Sequence, residues 1–426
     1  MIWAVGGGLL ALMALSIPVA VVLFLLGLGV DAFFSPFPLI RGLGQVVYSS
    51  SDSFLLIAIP FFVLLGEILV RAGIAERTYG ALDSWFSWLP GGLIHANIGT
   101  ATLFSATSGS SVATAATVAT VAMPQADRLG YDPRLFAGAI AAGGTLGILI
   151  PPSINLIVYG FLTETSVPRL FLAGLLPGLL LALMFMIVTV ILCAWRPSLG
   201  GPSRSFTWRE RIGGLRHLLP IFLLFGVVVG AIYRGWATPT EAAAVGVAMA
   251  FLIAAFHRAL TFAMIGEALI GTARTTAMIM FVIVGAYFLN YALASAGLGR
   301  QLTELMNNLG LGPYGTLFVV IALYVVLGFF IETLSLMIAT IPIVVPIIAE
   351  MGFDKIWFGI LMIVLIEMAL ITPPVGLNLY VVQGARSHGS LTDVIMGAIP
   401  YALTMLLMVF LLILFPGLAL WLANRV

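Results

Sequence analysis

Twice in this sequence a Pro-Pro pair interrupts an apolar stretch otherwise long enough to cross a lipid bilayer, at Pro151-Pro152 and at Pro373-Pro374. Each proline removes a backbone N–H and sets its ring against the carbonyl one turn earlier; it also pushes the preceding residue out of the helical region. Two helices must therefore break near their middles. Unwound backbone at membrane depth is tolerated only where protein buries it or where it lines a cavity. The chain is thereby held to a membrane fold with two irregular, protein-enclosed centres.

The surrounding solvent is lipid because 62% of the 426 residues are hydrophobic and only 8% are charged, against about 25% charged in soluble domains. Apolar runs of about 17–25 residues recur from end to end, so the first of them is a span and not a cleavable signal. The 18 Lys+Arg and 17 Asp+Glu leave a net charge of +1, which argues against a nucleic-acid partner. The single cysteine, Cys193, excludes disulfides and thiolate metal sites. His95, His217, His257 and His388 show no ligand spacing and read as solvated residues at loop ends. No transition metal and no organic cofactor is expected.

An internal repeat organises the chain. Segments of the first half reappear in order at an offset of about 221–224 residues. Ser16-Ile17-Pro18 answers Thr238-Pro239, Arg71-Ala72-Gly73-Ile74 answers Ser295-Ala296-Gly297-Leu298, and Pro124 answers Pro346. Pro151-Pro152-Ser153-Ile154-Asn155 answers Pro373-Pro374-Val375-Gly376-Leu377-Asn378, and Gly174-Leu175-Leu176-Pro177 answers Gly397-Ala398-Ile399-Pro400. Repeat one, residues 1–196, reads as spans near 1–16, 17–34 and 54–72, a helical pair near 92–125, an interrupted helix near 134–163 and a span near 168–195. Repeat two, residues 217–426, reads as spans near 217–234, 238–257 and 274–296, a pair near 313–350, an interrupted helix near 356–385 and a span near 394–423. Residues 197–216 read as a linking loop.

If each helical pair is a re-entrant hairpin, each repeat crosses the membrane five times, and an odd number inverts the second repeat relative to the first. The linker region carries Arg196, Arg204, Arg209, Arg211 and Arg216, so it is expected on the cytoplasmic side and both termini on the other. Trp85, Trp88 and Pro90 mark residues 80–93 as an interfacial amphipathic arm; the corresponding stretch at 298–313 is more polar.

The breaks and hairpin tips carry the chemistry. Carbonyls freed around Gly147, Ile150 and Pro151, and around Ala369, Thr372 and Pro373, are hard oxygen ligands that suit Na+, helped by the negative end of a half-helix dipole. Asn155 and Asn378 are the side chains placed to reach from the restarting helices, and Gly376 opens the second restart. The first tip reads Ser105-Ala106-Thr107-Ser108-Gly109-Ser110-Ser111, small hydroxyls that supply oxygens without a desolvated charge. The second reads Gly328-Phe329-Phe330-Ile331-Glu332-Thr333, so Glu332 stands where Ser110 stands. Three roles are open to Glu332: cation ligand, proton carrier, or organiser of the tip. Ser110, Ser111, Asn155, Glu332 and Asn378 are also the candidates to face a substrate. Thr114, Thr117 and Thr120 fit helix packing better than ligation. Glu241, after Thr238-Pro239-Thr240, reads as a capping residue. Glu67 and Glu367 divide between inter-helix hydrogen bonding and function.

At these residues the chain resembles the large membrane subunit of the TRAP transporters, tripartite ATP-independent periplasmic carriers of the DctM-like type. The resemblance is carried by Ser108-Gly109-Ser110-Ser111-Val112-Ala113-Thr114, Ile150-Pro151-Pro152-Ser153, Thr238-Pro239-Thr240-Glu241-Ala242 and Thr372-Pro373-Pro374-Val375-Gly376-Leu377-Asn378, and covers essentially the whole sequence. It implies an all-α polytopic carrier of the elevator type, driven by Na+ and working with a small four-helix membrane subunit and a periplasmic substrate-binding protein. It implies an unfused form, with the small subunit a separate polypeptide, in a bacterial or archaeal inner membrane. It places one Na+ between the first hairpin and 147–155 and another between the second hairpin and 369–378, two or more ions in all. Its substrates are mostly carboxylates. A stand-alone Na+/dicarboxylate or Na+/H+ carrier is the alternative; an intramembrane hydrolase lacks a buried His or Lys beside its serines, and two gated half-sites fit alternating access better than a channel.

Overall fold

The structure, a computed structural model of the chain, describes residues 1–426 except 16, 36–37, 203, 298–300, 302–309, 330, 387 and 426, and except the side chains at 2, 3, 14, 40, 41 and 105–108. Nineteen α-helices are described, in an all-helical fold. The first ten are α1 (Ile2–Ala14), α2 (Val19–Phe34), α3 (Leu43–Ser51), α4 (Ala58–Arg71), α5 (Ile74–Phe86), α6 (Leu93–Ser108), α7 (Ser111–Leu129), α8 (Pro133–Leu149), α9 (Ile154–Thr163) and α10 (Val167–Trp195). The second half gives α11 (Trp208–Tyr233), α12 (Pro239–Phe256), α13 (Phe262–Ser295), α14 (Gly312–Gly328), α15 (Thr333–Glu350), α16 (Lys355–Ala369), α17 (Leu377–Gly384), α18 (Leu391–Leu414) and α19 (Gly417–Ala423). Among the described residues seven helical segments are long and apolar enough to cross a membrane, and the bent pair α8–α9 makes an eighth candidate.

Both expected breaks are present. α8 stops at Leu149 and α9 starts at Ile154 with a bend of 41°. In the second half α16 ends at Ala369 and α17 begins at Leu377, and both Pro-Pro bonds are cis. α6 and α7 pack on each other and on α8. α14 and α15 fold back as a hairpin, because Tyr324 and Thr340, sixteen residues apart, share a hydroxyl hydrogen bond of 2.7 Å. A continuous helix would hold such residues some 24 Å apart.

Burial sorts the helices. α8 is buried along its whole length from Leu135, and α16 from Ile356 to Ala369. A helix apolar all round sits in an interior, and these two are the leading halves of the broken helices. α10, α11, α13 and α18 instead expose rows of large apolar side chains, such as Leu179, Leu183, Ile187 and Ile191 on α10, as lipid contact requires. α6–α10 and α14–α19 pack chiefly among themselves, as do α1–α5 with α11–α13. A close crossing joins α8 to α18, where Gly138 meets the Gly397 backbone and a Cβ on either glycine would fall on the partner helix.

Several boundaries differ from the sequence reading. α11 begins at Trp208, because Thr207 and Glu210 form a capping box that starts the helix in the supposed loop. Only residues 196–207 connect the halves outside the long helices. They are pinned by a 2.7 Å Arg204–Asp83 ion pair, with Gly201 lying against the Tyr131 ring. Burial pushes the Tyr131 phenol above its usual range, and its oxygen accepts the Leu93 N–H at 3.1 Å. α13 runs for 34 residues from a Thr261 cap, starting twelve residues before the expected span. The stretch read as an interfacial arm falls on the end of α5, which stops at Phe86, and on the turn at Pro90; Trp85 donates to the Arg211 carbonyl. Its counterpart at 298–313 lies mostly outside the described residues. His95 is not solvated: it is fully buried, with Nε2 2.8 Å from the Pro90 carbonyl.

Candidate functional site: two helix breaks and two hairpin tips

The first tip is built by Gly109 and Ser110. Gly109 takes a left-handed φ of 58°, and a Cβ there would press on Ile154, the first residue of α9. Ser110 is the N-cap of α7, accepting the Ala113 N–H at 3.3 Å. On the other side, Gly147 has no side chain because the Ser110 carbonyl and Ser111 Cα lie 3.0 and 3.1 Å from where a Cβ would be. Tip 109–111 and break 147–154 are therefore in direct contact. The side chains of Ser105 and Ser108 lie outside the described residues.

The carbonyls at this break have lost their donors. Pro151 and Pro152 cannot serve Gly147 O and Ile148 O, and no backbone N–H among the described residues takes their place. Gly174 and Gly178 of α10 cover the break, packing on Leu149 O and Ile150, so Pro151 and Pro152 are buried. Asn155 is buried, with its amide nitrogen unpartnered among the described residues.

The second tip meets its break in the same manner: a Cβ on Gly328 would lie 2.5 Å from Ala369 Cβ. The carbonyls here are partly reclaimed, Ala369 O by Thr372 N at 3.2 Å and Leu370 O by Asn378 N at 3.1 Å, which still leaves each a lone pair. Pro373 and Pro374 are exposed. Gly376 holds a φ of 54° to restart the chain into α17. Glu332 is the N-cap of α15, accepting from Leu334 N at 3.1 Å and Ser335 N at 3.0 Å. It does at α15 what Ser110 does at α7, so the offset of the repeat is legible in the caps. Its carboxylate complements the helix dipole and is exposed. Thr333 is buried beside it, its hydroxyl unpartnered among the described residues.

Two side-chain hydrogen bonds of the candidate site residues cross between the halves, and the sequence reading pairs neither. Ser111 Oγ donates to Glu367 Oε2 at 2.5 Å, joining the first hairpin to α16. Asn378 Nδ2 donates to the Ala141 carbonyl of α8 at 3.1 Å, so this side chain turns towards the first half. Glu367 and Asn378 are both fully enclosed. Asn97 on α6 is another buried amide unanticipated from the sequence, with neither polar atom partnered among the described residues; a lone Asn in an apolar run is the signal that marks it. Glu67 is an inter-helix group, paired with Arg71 and packed on Gly271 of α13. Glu241 closes the Thr238 capping box, its Oε2 accepting from Thr238 N at 2.8 Å. Among the described residues no group of three His, Cys, Asp or Glu side chains could hold a metal ion.

Paired broken helices and hairpins in an all-helical membrane chain are the framework of a solute transporter. The comparisons with known proteins agree. The family model described as "Tripartite ATP-independent periplasmic transporter, DctM component" matches residues 7–418, and the chain belongs to this family of transporter permeases, which are not enzymes. It is 36% identical to the C4-dicarboxylate TRAP transporter large permease protein DctM of Pseudomonas aeruginosa, over 90% of each chain. It is 32% identical to the sialic acid TRAP transporter large permease protein SiaM of Vibrio cholerae, over 87% of each. In fold it resembles the YdaH transporter of Alcanivorax borkumensis, with a TM-score of 0.62 at 16% identity, covering 95% of this chain and 98% of that one.

Proposed function

We propose that this chain is the membrane carrier of a Na+-coupled importer for an organic acid, working by an elevator movement of α6–α10 with α14–α19 against the remaining helices. The observation that carries the reading is the pairing of each hairpin tip with a helix break; at the first break Pro151 and Pro152 leave the Gly147 and Ile148 carbonyls without a backbone donor among the described residues. A bare carbonyl at membrane depth is costly unless something takes it up, and hard oxygens in a ring of small residues are suited to Na+. One ion would be held by tip 109–111 with Gly147 and Asn155, a second by Gly328, Thr333 and Ala369 to Gly376.

The substrate would be a carboxylate bound between the tips. Ser110 leaves the α7 N-terminus without a negative charge, whereas Glu332 already supplies one at α15; the first tip is thus the better host for a substrate carboxylate. Names of the relatives span C4-dicarboxylates and sialic acid, which fits an acid of that class. A periplasmic binding protein would deliver it, and a small membrane subunit would complete the complex; the isethionate relative named DctMQ is a permease of which this chain matches 59%. The halves would be inverted in the inner membrane, with the linker cytoplasmic and both termini periplasmic.

The test is uptake into proteoliposomes holding this chain with its small subunit, supplied with binding protein and radiolabelled acid. An inward Na+ gradient drives accumulation, and collapsing it with a Na+ ionophore abolishes accumulation. Equal uptake with choline in place of Na+ refutes the coupling.

A further inference from the structure

Away from the breaks, basic side chains gather where α5, α11 and α12 meet. α11 turns apolar at Leu218, and α12 stays apolar as far as Phe256, just before His257 and Arg258. The two helices pack side by side, so Arg216 and His217 stand level with His257 at the edge of the apolar zone, on the linker side of the membrane. Arg77 of α5, Arg216 and His257 all lie within electrostatic reach of His217. From this level exposed Leu219, Phe222 and Leu223 on α11, with Leu252 and Phe256 on α12, continue into the lipid.

A groove of about 480 Å³ opens here between α5 and α11, lined by Glu76, Arg77, Phe206, Glu210, Arg216 and His217. Its size lies within the range of small-molecule sites, about 300–1,000 Å³. The helices touch at Gly214, where a Cβ would lie 3.3 Å from Ser84 Oγ and 3.4 Å from Ala81 Cα. Gly80 and Gly213, which also line the groove, have nothing within 4 Å of a Cβ, so its floor is open. Its acids have tasks of their own. Glu210 closes the Thr207 capping box, and Glu76 sits in the first turn of α5, where a carboxylate complements the helix dipole. Neither Arg77 nor Arg216 pairs with a carboxylate among the described residues. Arg216 gives its Nε–H to His217 Nε2 at 3.3 Å, which leaves a neutral His217 its proton on Nδ1 as a further donor.

Two unpaired guanidiniums and an imidazole donor call for a group with several acceptor oxygens and a net negative charge. The apolar faces that run on from them call for hydrocarbon attached to it. We propose that the α5–α11 groove binds an anionic phospholipid of the leaflet on the linker side, with its phosphodiester held by Arg77, Arg216 and His217 and its acyl chains lying on α11 and α12. Basic pockets between membrane helices take headgroups of this kind. The bound lipid would tie α5, which leads from α4 into the first hairpin, to α11. It stands apart from the breaks and requires nothing of the coupling ion or the substrate.

The experiment is native mass spectrometry of the carrier with its small subunit, titrated with phosphatidylglycerol, phosphatidylethanolamine or soluble glycerol phosphate. The first phosphatidylglycerol is expected to bind saturably and about tenfold tighter than phosphatidylethanolamine, and glycerol phosphate is expected not to displace it. Arg77→Gln combined with Arg216→Gln is expected to weaken that first binding about tenfold or more. Arg128→Gln combined with Arg209→Gln removes the same charge from exposed positions outside the groove and is expected to leave it unchanged. Gly213→Leu fills the groove without altering charge and is expected to weaken binding several-fold, which keeps the test open if the double arginine variant does not fold. Unchanged affinity in the groove variants overturns the proposal, as does equal affinity for the two lipids. An equal loss in the control pair would reduce the effect to general charge attraction, and displacement by glycerol phosphate would make the ligand a soluble phosphate; either result overturns it. Loss of the small subunit from the groove variants, with lipid affinity intact, would make the groove a protein interface and also overturns it.

Discussion

Replacing Gly397 with alanine tests how α8, which carries Gly144 and Gly147, is held. A Cβ at Gly397 would fall on the Arg134 carbonyl, with Leu135 N at 3.1 Å, and the reciprocal Cβ at Gly138 would lie 2.5 Å from Ala398 N. The obstructing atoms are backbone, which no rotamer change can move. Restoring an ordinary carbon–oxygen contact of about 3.3 Å means parting the helices by more than about 1 Å. A gap of that size forfeits roughly a quarter to a half of the dispersion well for every atom pair along the interface. The cost therefore belongs at the upper end of overpacking, about 3 kcal/mol, or a fall in Tm of roughly 5 °C. Gly226→Ala in α11, where nothing lies within 4 Å, is the control and is expected to be neutral or slightly stabilising from helix propensity. Thermal unfolding followed by circular dichroism in detergent reads both. If Gly397→Ala melts with Gly226→Ala, the glycine crossing is not formed.

Glu332→Ser, which copies Ser110, is expected to keep substantial transport and cost less than about 1 kcal/mol, whereas Glu332→Ala loses the cap and about 1–2 kcal/mol; abolished uptake in the serine variant with intact folding would mark Glu332 as more than a cap. Arg204→Ala breaks a partly exposed pair worth about 1 kcal/mol or less, and its main expected effect is faster protease cleavage within 196–207, with an unchanged digestion rate counting against the pinned linker. Tyr131→Phe leaves the buried Leu93 N–H without its acceptor and is expected to cost about 1–3 kcal/mol, read as a lower unfolding temperature.

The breaks and tips were legible because they are written locally: Pro-Pro has no helical continuation, and Ser-Gly-Ser-Ser between apolar arms has few alternatives. The α11 and α13 starts were harder to see because Arg209, Glu210, Glu267 and Arg274 interrupt the apolar count, while the signals that decide them are the single caps Thr207 and Thr261. Glu332 as a cap was open to the same local reading. The Ser111–Glu367 bond was not, since its partners are 256 residues apart and no periodicity specifies which buried carboxylate meets which hydroxyl. Sequence symmetry also drew attention to Glu332 as the charged departure between the halves. Burial moves that distinction to Glu367: Glu332 is exposed and capping, and the enclosed carboxyl group is on α16.

That each hairpin tip closes on a helix break around Na+ is tested most directly by labelling the tips. Cys193 is the single native cysteine and is buried, so its replacement by alanine gives a background in which Ser110→Cys and Glu332→Cys can be placed one at a time. With a membrane-impermeant maleimide, Na+ but not choline is expected to slow labelling at both tips several-fold. Labelling at both tips at rates indifferent to Na+ would contradict the assignment of these breaks and hairpins as cation sites.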